Sequence, residues 1–308
     1  MSSKTSETTD GGPVEEAAPQ AHPSAAAAEV VRASLAGLPH ALIRAEGAGV
    51  QFNLRDLWAY RELLYFLTWR DIKVRYKQTL MGVAWVIIQP LMLMIVFTLV
   101  FNKFVGTGEG TIPYPLFAYA GLLLWTFFSV SVSSGMNSLI GNTSLVTKVY
   151  FPRVFIPAAA VGAGLVDFSV GAVLLVPLGV YYGVGVTPTL LLLPGFVMLA
   201  AALALSVGMM VAALTVRYRD LRHALPFLLQ LWMFASPVIY PVGVVPERWR
   251  WFLAANPMTG VLEGFRASLT GTPFDWGLVA VPLAAAPLLL GLAFYVFRSL
   301  EDTFADII

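Results

Sequence analysis

Few residues in this sequence are able to do chemistry, and their spacing excludes more than it offers. Three histidines, His22, His40 and His223, stand far apart, with no H-x-x-H or H-E-x-x-H pair to hold a metal. There is no cysteine, which removes disulfides, thiolate metal sites and thiol nucleophiles. No G-x-x-x-x-G-K-[ST] loop occurs, nor any Gly-Lys dipeptide, so the chain by itself has no cradle for nucleotide phosphates. No nucleophile stands with a base in the grouping that hydrolysis or acyl transfer needs. The expectation is no catalytic residue, no metal and no cofactor in this chain. Two kinds of side chain remain. Arg70, Lys73, Arg75 and Lys77 form a short run of cations, a composition that suits phosphate groups. Trp85, Phe97, Trp125, Phe127, Phe128, Trp232, Phe234 and Tyr240 are aromatic rings within strongly apolar stretches. Asp167 is the one ionisable residue deep in such a stretch. A lone carboxylate makes a poor proton relay, so a polar contact with Ser169 or a neighbour is its expected role.

The elements that must position these residues are set by the solvent the chain is built for. Of its 308 residues 58% are hydrophobic and 12% charged, against roughly 45–50% and about 25% in soluble domains. Mean hydropathy is +0.75. Such a chain cannot cover a water-facing surface, and it suits lipid. The net charge of +1 provides no field for nucleic acid. A membrane-spanning helix needs about 20 mostly apolar residues. Six candidates follow: Leu80 to Phe104, Leu116 to Ser138, Val154 to Tyr182, Thr189 to Val216, Leu221 to Tyr240, and Leu278 to Phe297. Pro241 to Trp276 is apolar but interrupted by Pro246, Pro257, Gly260, Gly264, Gly271 and Pro273, and reads as a re-entrant helical hairpin on the outer face. Residues 1–50, rich in Ala, Pro, Ser, Thr and Glu, read as a disordered cytosolic tail. Residues 51–79 read as an amphipathic interface helix, with Leu57, Tyr60, Leu64 and Leu67 on one face and Arg55, Glu62, Lys73 and Lys77 on the other. Residues 80–308 form the transmembrane domain. With the N-terminus in the cytosol, the inner side receives Arg55, Arg61, Arg70, Lys73, Arg75, Lys77, Lys148, Arg153, Arg217, Arg219, Arg222 and Arg298, and the outer side only Lys103, Arg248, Arg250 and Arg266. That bias places both termini in the cytosol. Gly179 with Gly183, Ala158 with Gly162 and Gly208 with Ala212 are pairs of small residues spaced for close helix packing.

Several strings occur in a recognisable order. Leu57-Trp58-Ala59-Tyr60-Arg61-Glu62-Leu63-Leu64 is followed by Trp69-Arg70-Asp71-Ile72-Lys73-Val74-Arg75-Tyr76-Lys77-Gln78-Thr79 and Leu80-Met81-Gly82-Val83-Ala84-Trp85. Then come Lys148-Val149-Tyr150-Phe151-Pro152-Arg153, Arg217-Tyr218-Arg219-Asp220-Leu221, Ser236-Pro237-Val238-Ile239-Tyr240-Pro241, Asn256-Pro257-Met258-Thr259 and Gly264-Phe265-Arg266. From about residue 52 to 300 the chain resembles the membrane subunit of ABC-2 type transporters that export O-antigen, capsule or teichoic-acid polysaccharides. The tail is not part of that pattern. The resemblance implies an all-α integral membrane homodimer in a bacterial inner membrane, standing on two copies of a separate ATPase that binds ATP and magnesium. It implies as substrate a lipid-linked polysaccharide, typically carried on undecaprenyl diphosphate.

Under that resemblance, residues 142–153, with Lys148, Tyr150, Phe151 and Arg153, look like the helix that couples to the ATPase, and Arg217, Arg219 and Asp220 form a second contact. The same cations also satisfy the positive-inside rule. The aromatics suit a sugar path, since ring faces stack on C–H surfaces, and equally suit belts at the two membrane interfaces. Arg70, Lys73, Arg75 and Lys77 suit the carrier's diphosphate, and equally anionic lipid head groups. A drug, lipid or small glycolipid exporter of the same fold, and a membrane enzyme or scaffold of glycan assembly, are the competing readings.

Overall fold

Apolar runs become the long helices, which carry Pro90, Pro226, Pro282 and Pro287 inside them, while the chain leaves regular helix near Pro177 and Pro237. The computed structural model describes residues 58, 60–77, 82, 84–101, 112–148 and 151–307, and every regular element among them is helical. The expected tail, residues 1–50, lies outside the described residues, as do Tyr150, Lys103 and the ends of the expected interface helix.

The helices are α1 (Arg61–Lys77), α2 (Ala84–Phe101), α3 (Tyr114–Gly141), α4 (Thr143–Lys148), α5 (Phe155–Ala172), α6 (Leu175–Tyr181), α7 (Leu193–Arg217), α8 (Leu221–Phe234), α9 (Glu247–Ala255), α10 (Pro257–Thr270) and α11 (Trp276–Ile307). Among the described residues four stretches are long and apolar enough to cross a membrane: Tyr114–Gly141, Phe155–Tyr181, Pro188–Arg217 and Trp276–Glu301. They match four of the six expected spans. The chain is thus a multi-pass membrane protein. The other two expected spans are shorter as helices. Helix α2 has 18 residues, about 27 Å at 1.5 Å per residue. Helix α8 has 14, about 21 Å on the same rise, against a hydrocarbon core of about 30 Å.

The expected third span is two helices, not one. Pro177 has no N–H to donate to the Val173 carbonyl. The chain tightens there, with Val173 N–H donating to the Val170 carbonyl and Leu174 N–H to that of Gly171, before α6 resumes. The fifth run ends early for a related reason. Pro237 cannot continue the ladder, and residues 235–240 leave the helix as turns. The sixth overruns its expected end, since α11 continues as a 32-residue helix to Ile307.

Helix α3 is the hub. It packs along α7 and α5 and against α2, while α7 also carries α11 and α10. At the α3–α7 seam Gly135 faces Gly208, and a Cβ on Gly135 would lie 3.3 Å from the Gly208 Cα. Close backbone approach of this kind drives helix association in lipid, where burial from water is no longer available as a force. Gly208 of the Gly208–Ala212 pair therefore packs as expected. Gly162 packs against Thr68 of α1. A Cβ added at Gly179 or Gly183 would meet nothing within 4 Å, so neither is a point of close helix approach within this chain. Two apolar cores result. One fills the middle around Tyr119, Phe128, Leu203, Val261 and Phe265. The other gathers Leu67, Phe151, Phe155, Met209, Phe297 and Phe304 near the ends of α1, α5 and α11.

Candidate functional site

The ends of the helices, more than their middles, gather the polar residues. The first gathering lies where α1 meets α5. Arg75 pairs with Asp167 of α5, and the Tyr76 hydroxyl donates to the other carboxylate oxygen. Asp167 thus takes its partners from α1. Ser169, its expected neighbour, donates instead to the Leu165 carbonyl. Burial, reinforced by Asp167, pushes the Tyr76 phenol above its ordinary value, so it remains a donor. Beside this pair is a half-open cavity of about 320 Å³ between α1, α2, α3 and α5. Trp85, Gln89, Thr126, Phe127, Ser134 and Phe168 are among the residues lining it.

The expected phosphate cluster is therefore divided. Arg75 is committed to Asp167. Arg70 donates to Asp71 at 2.7 Å. Lys73 and Lys77 are exposed.

The second gathering joins the end of α8 to the α9–α10 hairpin. The Asn256 carboxamide oxygen accepts from the Met258 backbone N–H at 3.1 Å, capping α10, and from Trp232 Nε1 at 3.1 Å. Its Nδ2 donates to Ser236 Oγ at 2.8 Å. Arg266 of α10, 2% exposed, donates through Nη1 to the Pro237 carbonyl at 2.7 Å and through Nη2 to the Val238 carbonyl at 2.6 Å. Nε reaches the Phe117 carbonyl at 3.3 Å, and Nη1 also meets Glu263 Oε1 at 2.9 Å. The guanidinium stacks over the Phe117 ring, 3.5 Å from its centre. These are the donors that the carbonyls released at Pro237 require, because unpaired backbone groups are costly away from water. Arg266 had been assigned by charge to the outer side. Its role was legible only in the Ser236-Pro237 break two elements earlier.

Within the aromatic set, Trp125 and Phe128 are buried and pack edge-on against Trp232, with ring centres 6.2 and 5.1 Å apart. They hold α3 to α8. Phe127 packs edge-on against Phe168 and borders the cavity with Trp85. Phe97 is half-buried, Phe234 is exposed, and Tyr240 donates from its hydroxyl to the Phe234 carbonyl at 2.9 Å.

The third gathering is at the expected coupling segment. Lys148 ends α4 and is exposed. Phe151 is buried in the second core, where it anchors the segment from inside. Arg153 Nη1 donates to the Glu301 carbonyl at 2.5 Å, tying the segment to α11. Glu301 also accepts from Arg298 at 2.7 Å. At the α7–α8 turn Arg217, Arg219 and Asp220 are exposed, with Arg217 over the Tyr218 ring. Among the described residues no group of His, Cys, Asp and Glu is arranged to hold a metal ion.

Comparison with known proteins gives this arrangement a context. A family model described as ABC-2 type transporter matches residues 62–270. An O-antigen export system permease protein of Myxococcus xanthus is 33% identical over 256 residues, covering 82% of this chain and 98% of that protein. A Klebsiella pneumoniae protein of the same description is 26% identical over 264 residues, covering 84% and 98%. A polysialic acid transport protein of Escherichia coli is 22% identical over 236 residues, covering 74% and 90%.

Proposed function

The chain belongs to the ABC-2 type transporter family, and from that premise we propose that it is the permease subunit exporting a lipid-linked, O-antigen-like polysaccharide across a bacterial inner membrane. The observation carrying this reading is its 33% identity to the Myxococcus xanthus O-antigen export permease over nearly that protein's whole length. Transport is the family's activity. Catalysis of ATP hydrolysis belongs to a separate partner, and ATP and magnesium are bound there. The working unit in this proposal is a homodimer of this chain on two ATPase copies.

The finer topology belongs to the same proposal. The four long spans are joined by α2 and by α8 with residues 235–240, making six crossings with both termini in the cytosol. Helices α9 and α10 form the re-entrant hairpin on the outer face. Its buried backbone is satisfied by protein, the condition under which broken helices are tolerated in a bilayer. Helix α1 lies at the cytosolic interface with Tyr65, Phe66 and Trp69 exposed toward lipid. Lys148 and the turn bearing Arg217, Arg219 and Asp220 meet the ATPase, while Arg153 carries the push inward to α11. The two lysines at the end of α1 receive anionic groups, of the carrier or of lipid.

Depletion of the chain in its host tests the reading. Lipid-linked polymer should accumulate on the cytosolic side, and an ATPase should co-purify with the tagged chain. Unchanged surface polysaccharide with no internal polymer would refute it.

A further inference from the structure

The cavity between α1, α2, α3 and α5 has a composition that is informative about its occupant. Its volume, about 320 Å³, is at the small end of the 300–1,000 Å³ typical of ligand sites. One end is closed by the Arg75–Asp167 pair, whose side chains are 30% and 16% exposed and whose formal charges cancel. A guanidinium carries five N–H donors and a carboxylate accepts at about four positions, so both groups keep capacity after meeting each other. Gln89, Thr126 and Ser134 add an amide and two hydroxyls, and among the described residues none of their side chains makes a hydrogen bond. Trp85, Phe127 and Phe168 supply aromatic surface.

Donors and acceptors are therefore both present beside walls of aromatic and aliphatic side chains, Val86, Pro90 and Leu123 among the latter, with no net charge. A phosphate offers acceptors alone and would lie against the Asp167 carboxylate. An acyl chain would fill the apolar walls and leave the part-buried Thr126 and Ser134 hydroxyls unpaired, at a cost for each. A neutral ring bearing hydroxyls donates and accepts at once and presents C–H faces to the aromatics. We propose that this cavity is a subsite for one neutral sugar unit of the exported glycan, set apart from the aromatic cluster of Trp125, Phe128 and Trp232. The proposal rests on the polysaccharide-export reading.

The test uses the full chain in cells making their own glycan. A photo-crosslinking amino acid replaces Val130 at the exposed rim of the cavity, Phe234 on exposed α8, or Leu99 on exposed α2 away from the cavity. After irradiation the purified chain is probed for periodate-reactive carbohydrate. A glycan adduct is expected at position 130 and not at 99. Adding Gln89→Ala with Ser134→Ala should reduce the adduct at 130 about tenfold, with the adduct at 234 unchanged; tenfold corresponds to about 1.4 kcal/mol. An adduct at 234 without one at 130 overturns the subsite and leaves the export reading standing. A phospholipid adduct alone at 130 also overturns the subsite. Carbohydrate at none of the three positions overturns both.

Discussion

Replacing Arg266 by methionine should be among the most damaging single changes in this chain. The methionine fills most of the same volume and removes every donor. Two short bonds are lost, to the Pro237 and Val238 carbonyls at 2.7 and 2.6 Å. A buried acceptor left without a donor costs about 1–3 kcal/mol. The longer Phe117 bond at 3.3 Å adds little. Glu263 keeps 30% side-chain exposure and can turn to water, so its loss is discounted. The sum is about 4 kcal/mol, the middle of the range for the two short bonds. At about 2–4 °C per kcal/mol for a chain of this size, the melting temperature in detergent should fall by about 8–16 °C. Arg266→Lys should fall in between, because a compact ammonium lacks the planar fork that meets the Pro237 and Val238 carbonyls through two separate nitrogens. Glu263→Gln should shift melting by only a few degrees, since its acceptor oxygen stays. Melting followed by tryptophan fluorescence, with size-exclusion profiles before heating, checks all three. If Arg266→Met melts within about 2 °C of the parent, the carbonyls find water instead and the assignment of Arg266 as their donor fails.

A Cβ on Gly121 would strike both Arg266 Nη2 and the Val238 carbonyl, so Gly121→Ala should destabilise by about 1–3 kcal/mol, and less in an Arg266→Met background; additive melting shifts would refute the shared space. Asp167→Asn should leave Arg75 without its counter-charge, and adding Arg75→Gln should recover part of the loss, with a coupling of about 0.5–3 kcal/mol from a double-mutant cycle; zero coupling would contradict the pair. At the α3–α7 seam, Gly208→Val should lower melting and broaden the size-exclusion peak, costing about 1–3 kcal/mol by overpacking. Tyr150→Ala with Arg153→Ala should lower glycan-coupled ATP hydrolysis by the assembled transporter while membrane insertion, read by fractionation, is kept; unchanged coupling would remove this segment from the ATPase contact.

The long spans were legible because a continuous apolar run admits one solution in lipid, a helix that satisfies its own backbone. Tyr114–Gly141 and Trp276–Glu301 needed nothing but composition and length. Hydropathy was blind to the break at residues 173–174, because Pro177 is apolar and the missing N–H does not change the count. Spacing of small residues found Gly162 and Gly208 but also Gly179 and Gly183, where an added Cβ would meet no neighbour, since periodicity does not say which face has one. Residue type alone does not show that Phe151 is buried in the second core, because burial there depends on helices far away in the chain. Asp167 stands out in its apolar run, but its partners lie 92 and 91 residues earlier on another helix, beyond any local pattern.

The strings that carried the resemblance share a physical property that explains why they are recognisable at all. Ser236-Pro237-Val238 is the broken end of α8, and its freed carbonyls are answered by Arg266 of Gly264-Phe265-Arg266. Asn256 of the next string caps α10 and holds Ser236 and Trp232. Phe151 and Arg153 fasten the segment between α4 and α5 to the second core and to the Glu301 carbonyl. Inside a span most apolar side chains can replace one another, because lipid does not distinguish them. At a break each freed backbone group needs a particular donor or acceptor, and a substitution leaves it stranded. Specific residues therefore collect at the breaks. A transporter needs breaks, since unbroken helices packed side by side offer no place to bend. The same residues that identify the family are then those most exposed to destabilising mutation, and stability and transport should fail together at Arg266 and separately at Lys148.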